Sequence, residues 1–148
     1  GGLFPSVGLG FWKMPKPEAP GLVYEAIRAG YRHLDCACDY GNEVEVGLGI
    51  ARAIDEGLVT REDLWITSKL WCNAHGRDNV AAALRRTLSD LGLAWLDLYL
   101  IHWPVPIRAG VAFPSSAGDL LPPDQLPIRG TWEGMEAAME AAKDLTTT

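Results

Sequence analysis

The chain has 148 residues, of which 48% are hydrophobic and 22% are charged. This composition is typical of a globular protein with one sizeable core and excludes disordered and fibrous proteins. The formal net charge of -6 and the pI near 5.0 argue against a nucleic-acid-binding surface, which needs clustered Lys and Arg. No apolar run approaches the roughly 20 residues that cross a bilayer.

The start of the sequence carries no recognisable export signal, so we expect a cytoplasmic protein that does not associate with membranes. Its three cysteines, Cys36, Cys38 and Cys72, are an odd number and are expected to stay reduced. Cys36 and Cys38 lack the second pair of ligands that a zinc site needs, so no metal site is expected.

Helical spacing alternates with short apolar strands in the first half of the chain. Residues 21–30 are predicted to form a helix that ends at Gly30, and residues 31–36 a strand. A second helix is predicted over 43–56, before Gly57. The positions expected to face the core are Leu22, Val23, Ala26 and Ile27 in the first helix, and Val44, Leu48, Ala51 and either Ile50 or Ile54 in the second.

The middle of the chain repeats this alternation. Residues 60–63 are a predicted turn into a strand over 64–69, and residues 96–103 are a near-continuous apolar strand of the kind that is covered on both faces. The clearest helix spans 77–91, with Asp78 as its predicted N-cap. Its core-facing stripe is Val80, Ala83, Leu84, Thr87, Leu88 and Leu91.

A long loop separates the strand predicted over 96–103 from the last helix. Residues 104–130 contain several prolines together with Ser115 and Ser116, and an irregular segment of this length in a compact domain is usually functional. Thr131 is predicted to cap the final helix. The core-facing stripe of that helix is predicted to be Trp132, Met135, Ala138, Met139 and Ala142.

Alternating helices and strands predict an α/β fold with a parallel sheet built from right-handed crossovers. An open doubly wound sheet and a closed barrel both satisfy this order. The G-x-G-x-x-G sequence of an open Rossmann sheet is missing, because Gly8-Leu9-Gly10 and Gly47-Leu48-Gly49 both lack the third glycine. The sequence therefore favours a (β/α)8 TIM barrel.

Chemically active side chains recur at the carboxyl ends of the predicted strands. Asp35, Lys69 and His102 follow one another at intervals of 34 and 33 residues, which in a barrel places them at the same mouth. A charge at the end of an apolar strand is costly to bury alone, so we expect these groups to pair. Tyr40 lies five residues after Asp35, on the loop that leaves the same strand.

These residue types together suit the delivery of a proton to a carbonyl group that is being reduced. A tyrosine hydroxyl is a weak acid at neutral pH, but a neighbouring ammonium stabilises its phenolate. We expect Lys69 to do this for Tyr40, and Asp35 to keep Lys69 charged and oriented. His102 is expected to donate a hydrogen bond to a substrate oxygen.

Each of these residues alone also has a structural interpretation. A strand-end Asp is often a cap, a single Lys is usually solvated, a strand His is usually part of the core, and a Tyr often packs at the surface. Their regular placement is what favours a site. A barrel lysine can also form a Schiff base, as in an aldolase, but Asp35 beside Lys69 would raise the lysine pKa and disfavour that reaction.

Four segments, in this order, resemble the aldo-keto reductases. They are GLGFWK at Gly8–Lys13, YRHLDCACDYGNE at Tyr31–Glu43 followed by Val46-Gly47, ITSKLW at Ile66–Trp71, and LIHWP at Leu100–Pro104. The segment around Asp39 and the proline-bearing loop after His102 look most like the xylose reductases.

The resemblance implies NAD(P)H-dependent reduction of an aldehyde or ketone, with an aldose-like sugar as a substrate, NADPH or NADH as the cofactor and Tyr40 as the acid. The implied catalytic tetrad is Asp35, Tyr40, Lys69 and His102. The implied cofactor-binding residues are Gly10, Phe11, Trp12, Lys13 and Asp35, and the implied substrate-binding residues are Trp12, Asp39, Trp71, His102 and Trp103. Phe11 departs from the small hydroxyl residue usual in the family, and the tryptophans also fit simple core packing.

The resemblance covers nearly the whole chain but only the N-terminal half of the family's barrel. Residues 1–148 are therefore expected to be one incomplete domain with about four of the eight βα units, ending before the family's adenosine-phosphate site. The alternative is a catalytically inactive fragment, or a half-barrel that forms a homodimer through its exposed strand edges. A channel-associated binding module of the same family is a further alternative, which Asp39 disfavours.

Overall fold

The computed structural model describes residues 4–146, and their side chains up to residue 142. Strands and helices alternate along the chain, as predicted. The strands are β1 (Gly8–Gly10), β2 (His33–Asp35), β3 (Trp65–Leu70) and β4 (Leu98–Ile101). The helices are α1 (Ala19–Arg28), α2 (Glu43–Asp55), α3 (Arg77–Leu91) and α4 (Ile128–Thr146).

The described residues form two compact units. Unit 1 contains the residues up to 69 together with residues 86–100, and unit 2 contains residues 70–85 together with those from 101 onward. Helix α3 is divided between them. Among residues 4–146, no helix combines the length and the apolar character that a membrane span requires.

The strands follow one another in the sheet in the order β1-β2-β3-β4. The β1 and β2 strands are parallel, with Gly10 opposite Asp35, and β2 and β3 are parallel, with Asp35 opposite Thr67. Because parallel strands end at the same edge of a sheet, the segments that leave β1, β2 and β3 emerge side by side. This edge is where the chemically active residues of unit 1 lie.

The core of unit 1 lies between the strands and helices α1 and α2. A single cluster of buried side chains connects them, and it includes Phe11, Ala19, Val23, Ile27, Leu34, Cys36, Val46, Ile50, Ala53, Val59, Leu64, Ile66 and Leu91. Burial of this much apolar surface is the main stabilising contribution to the unit.

The buried faces of α1 and α2 differ from the predicted ones. The predicted core positions that prove to be exposed are Leu22, Val44, Leu48 and Ala51. In α2 the buried face instead includes Gly47 and Gly49. Glycine adds nothing to an apolar pattern, so a prediction from periodicity assigns the buried face to the bulky residues. In the structure, the glycines lie where the helices approach most closely.

We expect Gly47→Ala to lower the free energy of unfolding by about 1 to 3 kcal/mol. A methyl group at residue 47 would lie 2.4 Å from the backbone oxygen of Leu91, which cannot move away without shifting α3. The control is Gly21→Ala in α1, where a methyl group meets no atom within 4 Å. That variant should gain roughly 0.5 to 1 kcal/mol from helix propensity. Urea unfolding measures both changes, and equal stability of the two variants would contradict the packing described.

The β4 strand is less covered than its apolar sequence predicts. Leu98 and Tyr99 are half-buried, and Leu100 is 40% exposed. Within residues 4–146 only β3 lies beside β4 in the sheet, which leaves its other edge open. The prediction of a strand covered on both faces is therefore wrong for the described part of the chain.

Helix α3 spans Arg77–Leu91 as predicted, but the predicted N-caps of α3 and α4 are wrong. Helix α4 begins at Ile128, and Thr131 does not cap it: Thr131 is fully buried, and its hydroxyl accepts a hydrogen bond of 2.9 Å from the backbone N–H of Gly76. Asp78 lies inside the first turn of α3 and not at its N-cap. Of the predicted α4 stripe, the exposed residues are Trp132, Met139 and Ala142.

The segment between β4 and α4 folds back on itself within unit 2. Ile107 and Leu120 form an antiparallel bridge, and the backbone N–H of Ile107 donates to the carbonyl of Cys72 at 3.1 Å. The amide of Asn73 donates to the carbonyl of Val111 at 3.0 Å. These bonds fix the proline-bearing loop against the residues that follow β3.

Candidate active site

Lys69 is the centre of a polar cluster in unit 1. Its ammonium donates hydrogen bonds to the carboxylate of Asp35, to the carbonyl of Cys36 at 2.7 Å and to the hydroxyl of Tyr40 at 3.2 Å. The same ammonium lies 4.9 Å from the centroid of the Tyr40 ring. Only 9% of Lys69 is exposed, so these three partners supply most of its polar surroundings.

Local structure explains why these side chains meet. Asp35 is the last residue of β2, and Lys69 stands near the end of the adjacent buried strand β3. Tyr40 ends a short 3-10 turn over Cys38–Tyr40, and Gly41, with φ 73, turns the chain into α2. This left-handed backbone favours glycine. The Cys38 thiol closes the loop by donating to the carbonyl of Lys69 at 3.4 Å.

The surroundings of Lys69 keep it charged. Burial disfavours the ammonium, but the hydrogen bonds and negative charge of Asp35, together with the Tyr40 hydroxyl, outweigh burial and raise the pKa of Lys69. The direction agrees with the role predicted for Asp35. It argues against a Schiff-base reaction, which needs a neutral amine.

The segment after β1 presents an aromatic ring and a cation next to Asp35. Gly10 and Lys13 are exposed and Trp12 is 67% exposed, with the Lys13 ammonium 4.5 Å from the centroid of the Trp12 ring. An exposed ring can stack on a nicotinamide and an ammonium can pair with a phosphate, so these residues fit a nicotinamide dinucleotide. Phe11 is fully buried in the core, and its backbone N–H donates to the Asp35 carbonyl at 3.1 Å.

Asn42 connects the Tyr40 loop to this segment. Its buried amide donates to the carbonyls of Phe11 at 3.0 Å and Met14 at 3.1 Å. Between these two residues, Lys13 adopts φ 61, an unusual conformation for a residue with a side chain. Asn42 therefore holds the strained turn that presents Trp12 and Lys13.

We expect Asn42→Ala to lower the free energy of unfolding by about 1 to 3 kcal/mol, because the Met14 carbonyl loses this donor and the Phe11 carbonyl keeps only the backbone N–H of Met14. The matched control is Asn79→Ala. The Asn79 amide also donates to a carbonyl, that of His75 at 2.8 Å, but Asn79 is exposed and water can replace it. This control should cost less than about 1 kcal/mol. Urea unfolding of both variants measures the difference, and equal losses would contradict the role given to Asn42.

His102 belongs to an aromatic cluster in unit 2. Its ring lies 5.4 Å from that of Trp71, edge to face, and 6.2 Å from that of Trp103, with the planes nearly parallel. The Trp71 indole donates to the carbonyl of Ala112 at 2.7 Å, and its ring lies 5.5 Å from Phe113. Trp103 and Phe113 are 57% and 60% exposed, so they offer apolar surface for a ligand.

The structure thus gathers the predicted residues in two groups. Asp35, Tyr40 and Lys69 meet in unit 1, where Asp39 is half-buried on the same short turn. Trp71, His102 and Trp103 meet in unit 2. That both groups serve one site stays a prediction. Within residues 4–146 no group of three or more His, Cys, Asp or Glu side chains is arranged to hold a metal, and the cysteines form no disulfide.

The sequence indicated no role for the Cys36 carbonyl and the Asn42 amide in unit 1, or for the ring of Phe113 in unit 2. A backbone carbonyl leaves no trace in the sequence. Asn42 follows Gly41 and precedes a helix, which is typical of an N-cap, although its side chain makes no cap hydrogen bond. Phe113 lies in a loop without periodicity.

Comparison with known proteins places this geometry in a family. The family model "Aldo/keto reductase family" matches residues 6–147. An aldo/keto reductase from Synechocystis is 53% identical over 136 residues, which cover 92% of this chain and 42% of that protein. The NAD(P)H-dependent D-xylose reductase of Candida tenuis is 47% identical over 150 residues, covering 97% of this chain and 47% of the relative.

Solved structures agree with the sequence relatives. The aldo-keto reductase of Bombyx mori, crystallised in complex with NADP, is 41% identical, with a TM-score of 0.78 over 93% of this chain and 44% of that one. The chain spans less than half the length of these relatives and matches their N-terminal half. Its parallel βα units are the corresponding part of a (β/α)8 barrel. The chain belongs to the aldo/keto reductase family.

Proposed function

We propose that this chain supplies the proton-donating part of an NAD(P)H-dependent reductase site that converts an aldehyde or ketone into an alcohol. The observation that carries the proposal is the Lys69 ammonium, which bonds both the Asp35 carboxylate and the Tyr40 hydroxyl. A phenol that contacts a buried cation is placed to act as a general acid whose conjugate base the cation stabilises.

NAD(P)H, when bound, would supply the hydride. Tyr40 gives its hydroxyl proton to the substrate oxygen as negative charge develops there. Lys69 stabilises the phenolate that remains, from a distance of 3.2 Å, and Asp35 keeps Lys69 charged. A positioned general acid of this kind contributes roughly 10² to 10⁴-fold to a rate.

Cofactor and substrate contacts are assigned to the exposed groups around the cluster. Gly10, Trp12, Lys13 and Asp35 are proposed to bind NADPH or NADH. The buried ring of Phe11 leaves its backbone as the part available for that contact. The complex of the Bombyx mori relative with NADP supports a nicotinamide dinucleotide as the cofactor.

The substrate is proposed to be a small carbonyl compound, with an open-chain aldose as the favoured class. His102 is assigned the hydrogen bond to the carbonyl oxygen, with Trp71 and Trp103 as the surrounding aromatic surface. Asp39 and Trp12 are assigned contacts with the rest of the substrate. The names of relatives such as the D-xylose reductase of Candida tenuis support a sugar.

A second candidate function is that of an inactive half-barrel that pairs with another copy. The observation behind it is the strand order, which leaves β1 and β4 at the two ends of the sheet within the described residues. Unpaired strand edges favour association. Sedimentation velocity decides: a dimer that binds no NADPH favours the half-barrel, whereas a monomer that binds NADPH contradicts it.

The reductase proposal is tested by fluorescence titration of NADPH on the purified chain, followed by NADPH oxidation with D-xylose or a simple aldehyde. The same assays are run on a fusion of this chain with the C-terminal half of the Candida tenuis reductase, which restores the length that the relatives have. We expect aldehyde-dependent oxidation by the fusion. A folded fusion that binds NADPH and oxidises none would contradict the proposal.

A further inference from the structure

Glu43 is a buried carboxyl group that the proposed reaction does not use. It is the first residue of α2, three residues after Tyr40, and only 3% of it is exposed. A carboxyl group without contact to water needs hydrogen-bond partners, and a carboxylate at such a position is costly. Its partners therefore show what the side chain does.

Two hydroxyl groups hold the Glu43 carboxyl. Ser68, the residue before Lys69 on β3, donates to its Oε1 at 2.7 Å. Thr87 on α3 donates to its Oε2 at 3.2 Å. The side chain thus joins the start of α2 to the strand that carries Lys69. Because only Gly41 and Asn42 separate it from Tyr40, the position of the Tyr40 loop depends on this connection.

The electrostatic surroundings of Glu43 disfavour its charge. Burial raises the pKa of Glu43 to about 7, against the opposing effect of the two hydroxyls, and the charges of Asp90 and Asp39 raise it further. The thiol of Cys36 and the hydroxyl of Tyr99 are the other titratable groups nearby, and both are neutral at this pH because burial raises their pKa values.

Lys69, the one cationic residue of β3, forms its hydrogen bonds with groups other than Glu43. The Lys69 ammonium bonds Asp35, the Cys36 carbonyl and Tyr40. Glu43 is thus bonded by neutral hydroxyls and faced by negative carboxylates. Since its folded-state pKa is raised, the stability that it contributes is present at acid pH and is lost as the pH rises through about 7.

We propose that Glu43 is a positioning residue of the reductase site: its carboxyl group fixes the loop that carries Tyr40 against the strand that carries Lys69, and its protonation state sets how firmly the loop is held. The catalytic relevance of Glu43 rests on the proposed function, but its hydrogen bonds to Ser68 and Thr87 are a property of unit 1. Both hydroxyls donate to the carboxyl oxygens, and a carboxyl group that gains a proton must give up or reverse one of these two bonds. A change in the protonation state of Glu43 therefore changes how the loop is held.

The connection is tested by NMR titration of the 148-residue chain between pH 5 and 9, following the side-chain carboxyl carbon of Glu43 and the ring signals of Tyr40. We expect Glu43 to titrate with a midpoint of about 7 and the Tyr40 signals to shift with the same midpoint. A Glu43 midpoint in the ordinary glutamate range, or Tyr40 signals that do not follow it, would overturn the proposal.

Two variants test whether Glu43 causes the pH-dependent shift of the Tyr40 ring signals. In Glu43→Gln this shift should disappear. In the control Glu45→Gln it should remain, because Glu45 lies in the same helical turn but contacts Lys16, at 3.9 Å. If the Tyr40 signals still shift with pH in Glu43→Gln, another group causes the shift and the proposal is overturned.

Thr87→Ala provides a test that does not depend on removing the carboxyl group. The Thr87 hydroxyl lowers the pKa of Glu43, so its loss should move the midpoints of Glu43 and Tyr40 upward together. A shift of the Glu43 midpoint alone would contradict the connection. None of these measurements needs cofactor or substrate. A negative result would therefore overturn the role of Glu43 without affecting the reductase proposal, and the measurements can be made even if the protein is inactive.

Discussion

Replacing Tyr40 by phenylalanine should lower the turnover of an aldehyde by roughly 10² to 10⁴-fold, which is about 3 to 5 kcal/mol in the activation barrier. The change removes the hydroxyl that Lys69 contacts at 3.2 Å and keeps the ring beneath its ammonium, 4.9 Å away. Because only the acid is removed, NADPH affinity should stay within a few-fold of wild type. Steady-state kinetics and fluorescence titration on the fusion protein measure the two quantities.

Tyr31→Phe is the matched control for this experiment. Tyr31 carries the same phenol group, but it is exposed and lies outside the Lys69 cluster. Removing the Tyr31 hydroxyl should leave turnover unchanged. Wild-type turnover in Tyr40→Phe would show that another group supplies the proton.

Lys69→Met should lower turnover by roughly 10³-fold or more, because it removes the charge that stabilises the Tyr40 phenolate. Met fills much of the space of the lysine stem, but removing one partner of an ion pair leaves the other without its counter-charge. Because the Asp35 side chain is 39% exposed and water can reach it, we expect the variant to fold, with a lower thermal unfolding temperature than the wild type. The bonds to Asp35 and to the Cys36 carbonyl are lost together with the one to Tyr40.

Small primary amines provide the control for Lys69→Met. Methylammonium at high concentration should restore part of the activity if the missing group is a cation beside Tyr40. Lys69→Arg should not restore it, since the planar guanidinium cannot reproduce three bonds from one nitrogen. A folded Lys69→Met variant with unchanged turnover would rule out the role given to the ammonium.

The alternation of strands and helices could be predicted from the sequence because it depends on local patterns. Strand-length apolar runs and helix-length spacing appear within ten to fifteen residues. Strand order follows the rule that consecutive parallel strands lie side by side. The polar residues at the ends of β2 and β3 were predicted for the same reason, since strand ends in a parallel sheet meet at one edge.

The buried faces of the helices could not be predicted from apolar spacing alone. In α2 the bulky Val44 and Leu48 are exposed, whereas Gly47 and Gly49 face Leu91 and Pro20. Periodicity weighs side chains by hydrophobicity, and the closest helix contacts are made where there is no side chain. Thr131 shows the same limit, since its hydroxyl suggested a cap but accepts a bond from Gly76, 55 residues away.

The cluster of Asp35, Tyr40 and Lys69 could be predicted, but its supporting residues could not. Asp35, Tyr40 and Lys69 stand at positions where a charge or phenol is otherwise unexpected. Asn42 and Glu43 stand at a helix start, where polar residues are common, so their type carries no information about buried bonds. Their partners, such as Phe11 and Ser68, lie 31 and 25 residues away.

Hydride transfer itself is the most direct test of the proposed function. The fusion protein is incubated with an aldehyde and with NADPH that carries deuterium at both C4 hydrogen positions of the nicotinamide, and the alcohol is analysed by mass spectrometry. We predict one deuterium on the former carbonyl carbon, formed at a rate that Tyr40→Phe lowers at least about 100-fold. Labelled alcohol at the same rate in Tyr40→Phe, or none from a folded protein that binds NADPH, would contradict the assignment of Asp35, Lys69 and Tyr40 as a reductase site.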